Sequence, residues 1–134
     1  MGKTRSRSTQ SGVTLDAGAL IALDNGDRKM TALILEALAQ RRSFRVPAGV
    51  VGQSWRDGRR QANLARFLRA TEVEVVPLDD TLGRACGELC GITGTNDVVD
   101  ASVVIVARER QDTIVTSDPD DLRRLDLEAS IVRI

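Results

Sequence analysis

The chain has 134 residues, 42% hydrophobic and 28% charged, the usage of one ordinary globular domain, which excludes a fibrous or wholly disordered protein. It contains no His and no Tyr, so it cannot supply a Ser-His-Asp or Cys-His catalytic set, a His-bearing zinc site or a phenolic acid. The net charge of zero conceals a division: residues 1–70 carry 13 basic against 5 acidic side chains, and residues 71–134 carry 6 against 14, which suits one half to a polyanion and the other to cations.

Residues 1–12, rich in Ser, Thr, Gly and Arg, read as a flexible basic N-terminal arm without the apolar centre of a secretory signal. No apolar run reaches the ~18 residues that cross a bilayer, so the expectation is a cytoplasmic protein with no membrane partner. The ordered domain is expected over residues 13–134. Val13-Thr14-Leu15 forms a short buried strand, Asp16 marks the turn, and Ala17 to Leu23 continue as a helix ended by Gly26. Lys29 to Gln40 read as a helix whose buried face carries Met30, Leu33, Ile34, Ala37 and Leu38. Phe44 to Val46 form a second strand, and Pro47 opens the next helix, which carries Val50, Val51, Gln53 and Trp55. Beyond Gly58 a further helix is expected over Arg59 to Ala70, with Leu64, Phe67 and Leu68 inward and Trp55 in the core.

Val73 to Val76 give the third strand, stopped by Pro77. Asp79, Asp80 and Thr81 supply caps for a helix from Leu82 to Cys90, and residues 91–95 read as a loop. Either Asn96 or Asp97 caps the long apolar helix that follows and ends near Arg110. Thr113 to Thr116 form the fourth strand, Pro119 to Leu125 a short helix, and Ser130 to Ile134 a closing strand. Cys86 and Cys90 share one helix face but lack the second pair or the His of a zinc site, and read as small core residues in a reducing compartment.

Strands alternating with helices define an α/β class: a three-layer α/β/α sandwich with a mainly parallel central sheet. Ligands of such sheets gather beyond the carboxyl ends of the strands. Asp16 and Asp118 fall at two of those ends, while Asp97 and Asp100 share a face of the helix before the fourth strand. Thirteen Asp outnumber six Glu in the chain, and short carboxylates suit hard cations. Four of them around one pocket repel one another unless a cation sits among them, and an oxygen-only set points to Mg²⁺ or Mn²⁺. Metal-assisted phosphodiester hydrolysis is the chemistry such a set performs.

The opening strand with Asp16-Ala17-Gly18-Ala19-Leu20, the segment Val46-Pro47-Ala48, the stretch Asp97-Val98-Val99-Asp100-Ala101 and the run Val115-Thr116-Ser117-Asp118-Pro119 together resemble PIN-domain ribonucleases. The VapC toxins of type II toxin–antitoxin modules are the nearest kind, and the resemblance covers residues 13–134. It implies a PIN-like fold and a metal-dependent endoribonuclease that inhibits growth by cutting RNA and is silenced by a cognate antitoxin whose tail fills the active site. By position, Asp16, Asp100 and Asp118 are the implied metal carboxylates, with Asp97 a further candidate and Thr116 and Asn96 in support.

One position departs from the family pattern. A Glu is common in the helix after the second strand, but Gln53 stands here, so that Gln53 itself, Asp24 or Asp97 is left to replace it. A catalytically degenerate domain that binds RNA or a protein partner is the alternative reading. Arg56, Arg59, Arg60, Arg66 and Arg69 are candidates for an RNA-binding wall. The apolar surface expected around Met30, Leu33, Ile34, Leu38 and Val50-Val51 suggests a homodimer that also binds an antitoxin. No phosphate-cradling Gly-rich loop of the nucleotide-binding kinds is present.

Overall fold

The computed structural model describes residues 11–134; most of the arm expected over residues 1–12 lies outside the described residues. Among these, five strands and seven helices follow one another as β1 (Val13–Leu15), α1 (Ala17–Asp24), α2 (Arg28–Ala39), β2 (Phe44–Pro47), α3 (Ala48–Ser54), α4 (Ala62–Arg69), β3 (Val73–Val76), α5 (Asp80–Thr93), α6 (Val98–Arg110), β4 (Thr113–Thr116), α7 (Pro119–Leu125) and β5 (Ile131–Arg133). The strands form one parallel sheet in the order β3-β2-β1-β4-β5. Right-handed crossovers then place α1 to α4 on one face and α5 to α7 on the other. The order reverses at β1, whose neighbours are β2 on one side and β4 on the other. The crevice of a doubly wound sheet opens at that point.

Because both faces are covered, the central strands are buried almost without interruption: Val13, Leu15, Val46, Ile114 and Val115 are each at most 1% exposed. Helix α6 is rich in β-branched residues that disfavour isolated helices, yet its Ala101, Val103 and Val104 are buried against the sheet. Burial of that face, and not local propensity, holds it helical. Cys86 and Cys90 are buried core residues, as their spacing implied. No single helix among the described residues is long and apolar enough to cross a membrane.

Several boundaries differ from the sequence reading. Helix α5 runs on to Thr93, so residues 91–93 of the expected loop are helical, and the stop is Gly94, whose φ of 73° is the left-handed conformation that glycine adopts freely. Pro47 ends β2 and stands at the N-cap position of α3, so the helix expected to open at Pro47 begins one residue later, at Ala48. The helix expected from Arg59 begins only at Ala62, because the Gln61 side-chain oxygen accepts hydrogen bonds from Arg56 N (2.8 Å) and Asp57 N (2.9 Å) and folds the preceding residues into a turn. Trp55, expected in the core, caps α3 and is 38% exposed. Of the residues expected to form a docking surface, Met30 and Val50 are fully buried in the core, Leu33, Ile34 and Val51 are half-buried, and Leu38 is 38% exposed.

The amino edge of the sheet is tied by a buried carboxylate. Asp112, 4% exposed, accepts hydrogen bonds from Gly12 N (2.9 Å), Thr14 Oγ1 (2.8 Å) and Arg45 Nη1 (2.8 Å to Oδ2). Arg42 donates from Nε to Ser11 O at 2.8 Å and from Nη2 to Gly12 O at 3.1 Å. The described order therefore reaches two residues beyond the expected start at Val13.

Candidate active site

At the opposite, carboxyl edge, the chain leaves β1 at Asp16 and β4 at Ser117-Asp118, the two strand ends that flank the switch point. Asp16 is the N-cap of α1, and its Oδ1 accepts Ala19 N at 3.0 Å. Its Oδ2 accepts a hydrogen bond from Thr116 Oγ1. Thr116 is completely buried at the end of β4, and its Oγ1 in turn accepts Asp118 N at 2.9 Å. One hydroxyl thus fixes the side chain after β1 and the backbone after β4 in a single arrangement. The Asp118 side chain makes no cap hydrogen bond to α7, so its carboxylate is not consumed by the helix that Pro119 opens.

The third contribution comes from the start of α6. Asp97 is the N-cap, its Oδ1 accepting Asp100 N at 2.9 Å, which settles the choice between Asn96 and Asp97. Helix α3 approaches from the other face: a Cβ placed on Gly49 would lie 3.1 Å from Val99 Cγ2, so the lack of a side chain there lets α3 and α6 close over the sheet edge. Gly18 has a similar role, since a Cβ there would lie 2.2 Å from Ser117 Oγ. A side chain at position 18 would force the Ser117 hydroxyl out of its present position.

These elements enclose a cavity of about 210 Å³ on which Asp16, Asp97, Asp100, Asp118, Asp121 and Gln53 converge. All four carboxylates read from the sequence therefore line this cavity, with Gln53 beside them. No Lys or Arg among the described residues lines it. Asp121 is a fifth carboxylate of the pocket; it stands in the first turn of α7, at the i+3 position from Asp118, and that spacing was the signal for it. Asp24 is excluded as a replacement for the family's Glu, because its Oδ1 accepts Leu64 N at 3.1 Å and so caps the start of α4. Arg56, Arg59, Arg60, Arg66 and Arg69 are exposed, and none lines this cavity.

Crowding of like charges is visible in the protonation of the site. Burial, then the neighbouring charges of Asp97, Asp121 and Asp16, push the Asp100 carboxyl up to about 7. Burial also raises Asp16, against the lowering effect of its hydrogen bonds from Thr116 and Ala19 N. Hydrogen bonding with Asp118 and the charge of that residue raise Asp121. The N-termini of α1 and α6 offset part of this repulsion. As placed, no three of the described Asp, Glu and Cys side chains are grouped closely enough to hold an ion. In chemistry the donor set fits a hard divalent cation, being made of oxygens, strongly acidic and free of competing basic side chains.

A doubly wound parallel sheet with a carboxylate-rich pocket at its switch point defines the class of α/β protein. The PIN domain family matches residues 13–128, and the chain belongs to that family. Three solved structures share its fold. A chain of the VapBC2 complex from Rickettsia felis, crystallised on a promoter DNA fragment, is 18% identical with a TM-score of 0.65, covering 91% of this chain and 98% of that one. VapC20 of Mycobacterium tuberculosis, described as a toxin that cleaves the sarcin-ricin loop, is 18% identical with a TM-score of 0.59, covering 77% and 87%. A chain of FitAcB from Neisseria gonorrhoeae is 13% identical with a TM-score of 0.62, covering 90% and 96%. No curated protein matches the chain in sequence.

Proposed function

We propose that this PIN-domain protein is a Mg²⁺- or Mn²⁺-dependent endoribonuclease acting in the cytoplasm as the toxin of a toxin–antitoxin pair. The observation that carries the reading is the convergence of five carboxylates on one small cavity without a basic side chain. Similarity to VapC20, an RNA-cleaving toxin, and to chains of two antitoxin-type complexes supports the class of substrate and of partner. Asp16, Asp100 and Asp118 would hold the cation, with Asp97 and Asp121 in reach. The cation supplies positive charge that offsets the charge developing on the cleaved phosphodiester. Thr116 holds Asp16 and the Asp118 backbone in register, and Asp97 fixes the first turn of α6 and so the origin of Asp100. Burial and its acidic neighbours push the Asp100 carboxyl up to about 7, a repulsion that a cation held there would relieve.

Purified protein should cleave cellular RNA with Mn²⁺ present and lose at least about a hundredfold in rate on EDTA treatment. Cleavage indifferent to EDTA would defeat the reading. Gln53 supports a second one, a degenerate domain that binds RNA or a partner without cutting, because a neutral amide faces the pocket. Gln53→Glu adds a sixth carboxylate to the pocket, of the kind the family resemblance implies there, and is expected to tighten Mn²⁺ binding severalfold, about 1 kcal/mol. Calorimetric Mn²⁺ titration of the two proteins checks this, and an unchanged affinity would remove Gln53 from the set. Gln53→Ala should cost less activity than Asp100→Ala, since it removes no charge.

For the antitoxin, an open apolar groove of about 590 Å³ between α3 and α4, lined by Val51, Trp55, Ala65 and Leu68, offers surface to bury. A homodimer that also binds a small antitoxin is the assembly we infer. Light scattering of the protein alone and with the product of the adjacent gene tests it, and a monomer in both samples would refute it.

A further inference from the structure

Beside the carboxylate pocket lies a second, larger cavity of about 520 Å³, which shares Asp97, Asp100 and Asp121 with it and adds Asn96, Arg124 and Leu125. Its wall is a fixed turn. Gly94 closes α5 with φ 73°, Thr95 N donates to Cys90 O at 3.0 Å, and Asp97 is held as the cap of α6. Asn96 stands between these anchors, exposed, and its amide makes no hydrogen bond among the described residues. Across the cavity Leu125 is buried and apolar, and the Arg124 side chain is 71% exposed, with Nη1 3.6 Å from Asp121 Oδ1.

The shared wall of three carboxylates repels a phosphate, so a phosphodiester must lie on the cation side of Asp97 and Asp100. What suits the second cavity is a neutral, flat group with hydrogen-bonding edges. The volume lies in the range of small-ligand sites, about 300–1,000 Å³. Leu125 offers an apolar contact, the Arg124 guanidinium a stacking plane, and the Asn96 amide a donor and acceptor side by side, the pair that reads a base edge. We propose that this cavity receives one unpaired RNA base adjoining the scissile phosphate, and that Asn96 and Arg124 determine which base is accepted. The assignment rests on the nuclease reading and names the specificity determinants of that site.

The test is cleavage of a randomised single-stranded RNA pool with Mn²⁺ by wild type, Asn96→Ala and Arg124→Ala, with the cut ends sequenced and the Mn²⁺-induced rise in melting temperature measured on the same samples. Wild type should prefer particular bases at one position beside the cut by about tenfold. Asn96→Ala and Arg124→Ala should reduce that preference to about threefold or less while keeping the Mn²⁺-induced rise. An unchanged base preference in both variants, or an equal loss of rate on all sequences, overturns the subsite while leaving the nuclease standing. A wild type that cuts no RNA overturns the nuclease reading itself, and the base subsite with it.

Discussion

Asp100→Asn should abolish at least about a hundredfold of any Mg²⁺-dependent cleavage and, without metal, make the protein more stable at alkaline pH than wild type. The two effects have one cause. In the folded chain the Asp100 carboxyl is pushed up to about 7 from an ordinary 3.8. Between those values the folded protein keeps a proton that the unfolded chain has released, so stability falls as pH rises through the interval and stays low above it. Because Asp100 is only partly buried, solvent screening limits the loss to about 1 kcal/mol. Asn at this position carries no charge to lose, so the variant should equal wild type near pH 4 and melt a few degrees higher at pH 8 in EDTA. Mn²⁺ should then reverse the order by raising wild type and moving the variant little. Thermal melts at the two pH values, with and without Mn²⁺, read all of this, and coincident curves at pH 8 would show that Asp100 does not bear the repulsion.

The four carboxylates were legible in the sequence because each follows from a strong local signal. Asp16 interrupts two apolar runs, Asp118 follows a β-branched strand and precedes Pro119, and Asp97 and Asp100 lead a long apolar helix. Their meeting requires only that the strands be parallel and that β1 and β4 be neighbours. What escaped the reading depends on tertiary contacts. Asp24 looks as available as Asp97 in the sequence, but its fate is decided by the backbone of Leu64, 40 positions away, which it caps. The Trp55 ring lies over a turn shaped by the Gln61 side chain, where a Cβ on Gly58 would come within 2.6 Å of it. Residues 91–93 contain Gly and Thr, poor helix formers, and the packing of α5 on α6 carries the helix through them to the stronger stop at Gly94.

Asp112 carried no site assignment in the sequence reading, and its removal should have the largest effect on stability. Asp112→Ala deletes the acceptor for Gly12 N, Thr14 Oγ1 and Arg45 Nη1 at once. It also strands a guanidinium whose side chain is 13% exposed and whose remaining acidic neighbour, Glu74, stands 3.6 Å from Nε and is half exposed. Breaking a buried pair by removing one partner costs about 3–5 kcal/mol, because the survivor stays desolvated. The same physics gives the control. Replacing both partners, as in Arg45→Met with Asp112→Leu, leaves no orphaned charge and should recover much of the loss, whereas additive penalties would make the double variant the worst of the three. Urea midpoints at pH 7 measure the series. Since Asp112 sits at the amino edge and the carboxylate pocket at the other, the folded fraction of each variant should keep the wild-type Mn²⁺ affinity. A loss below about 1 kcal/mol in Asp112→Ala would mean that water enters the amino edge and that β1, β2 and β4 are held there by backbone pairing alone.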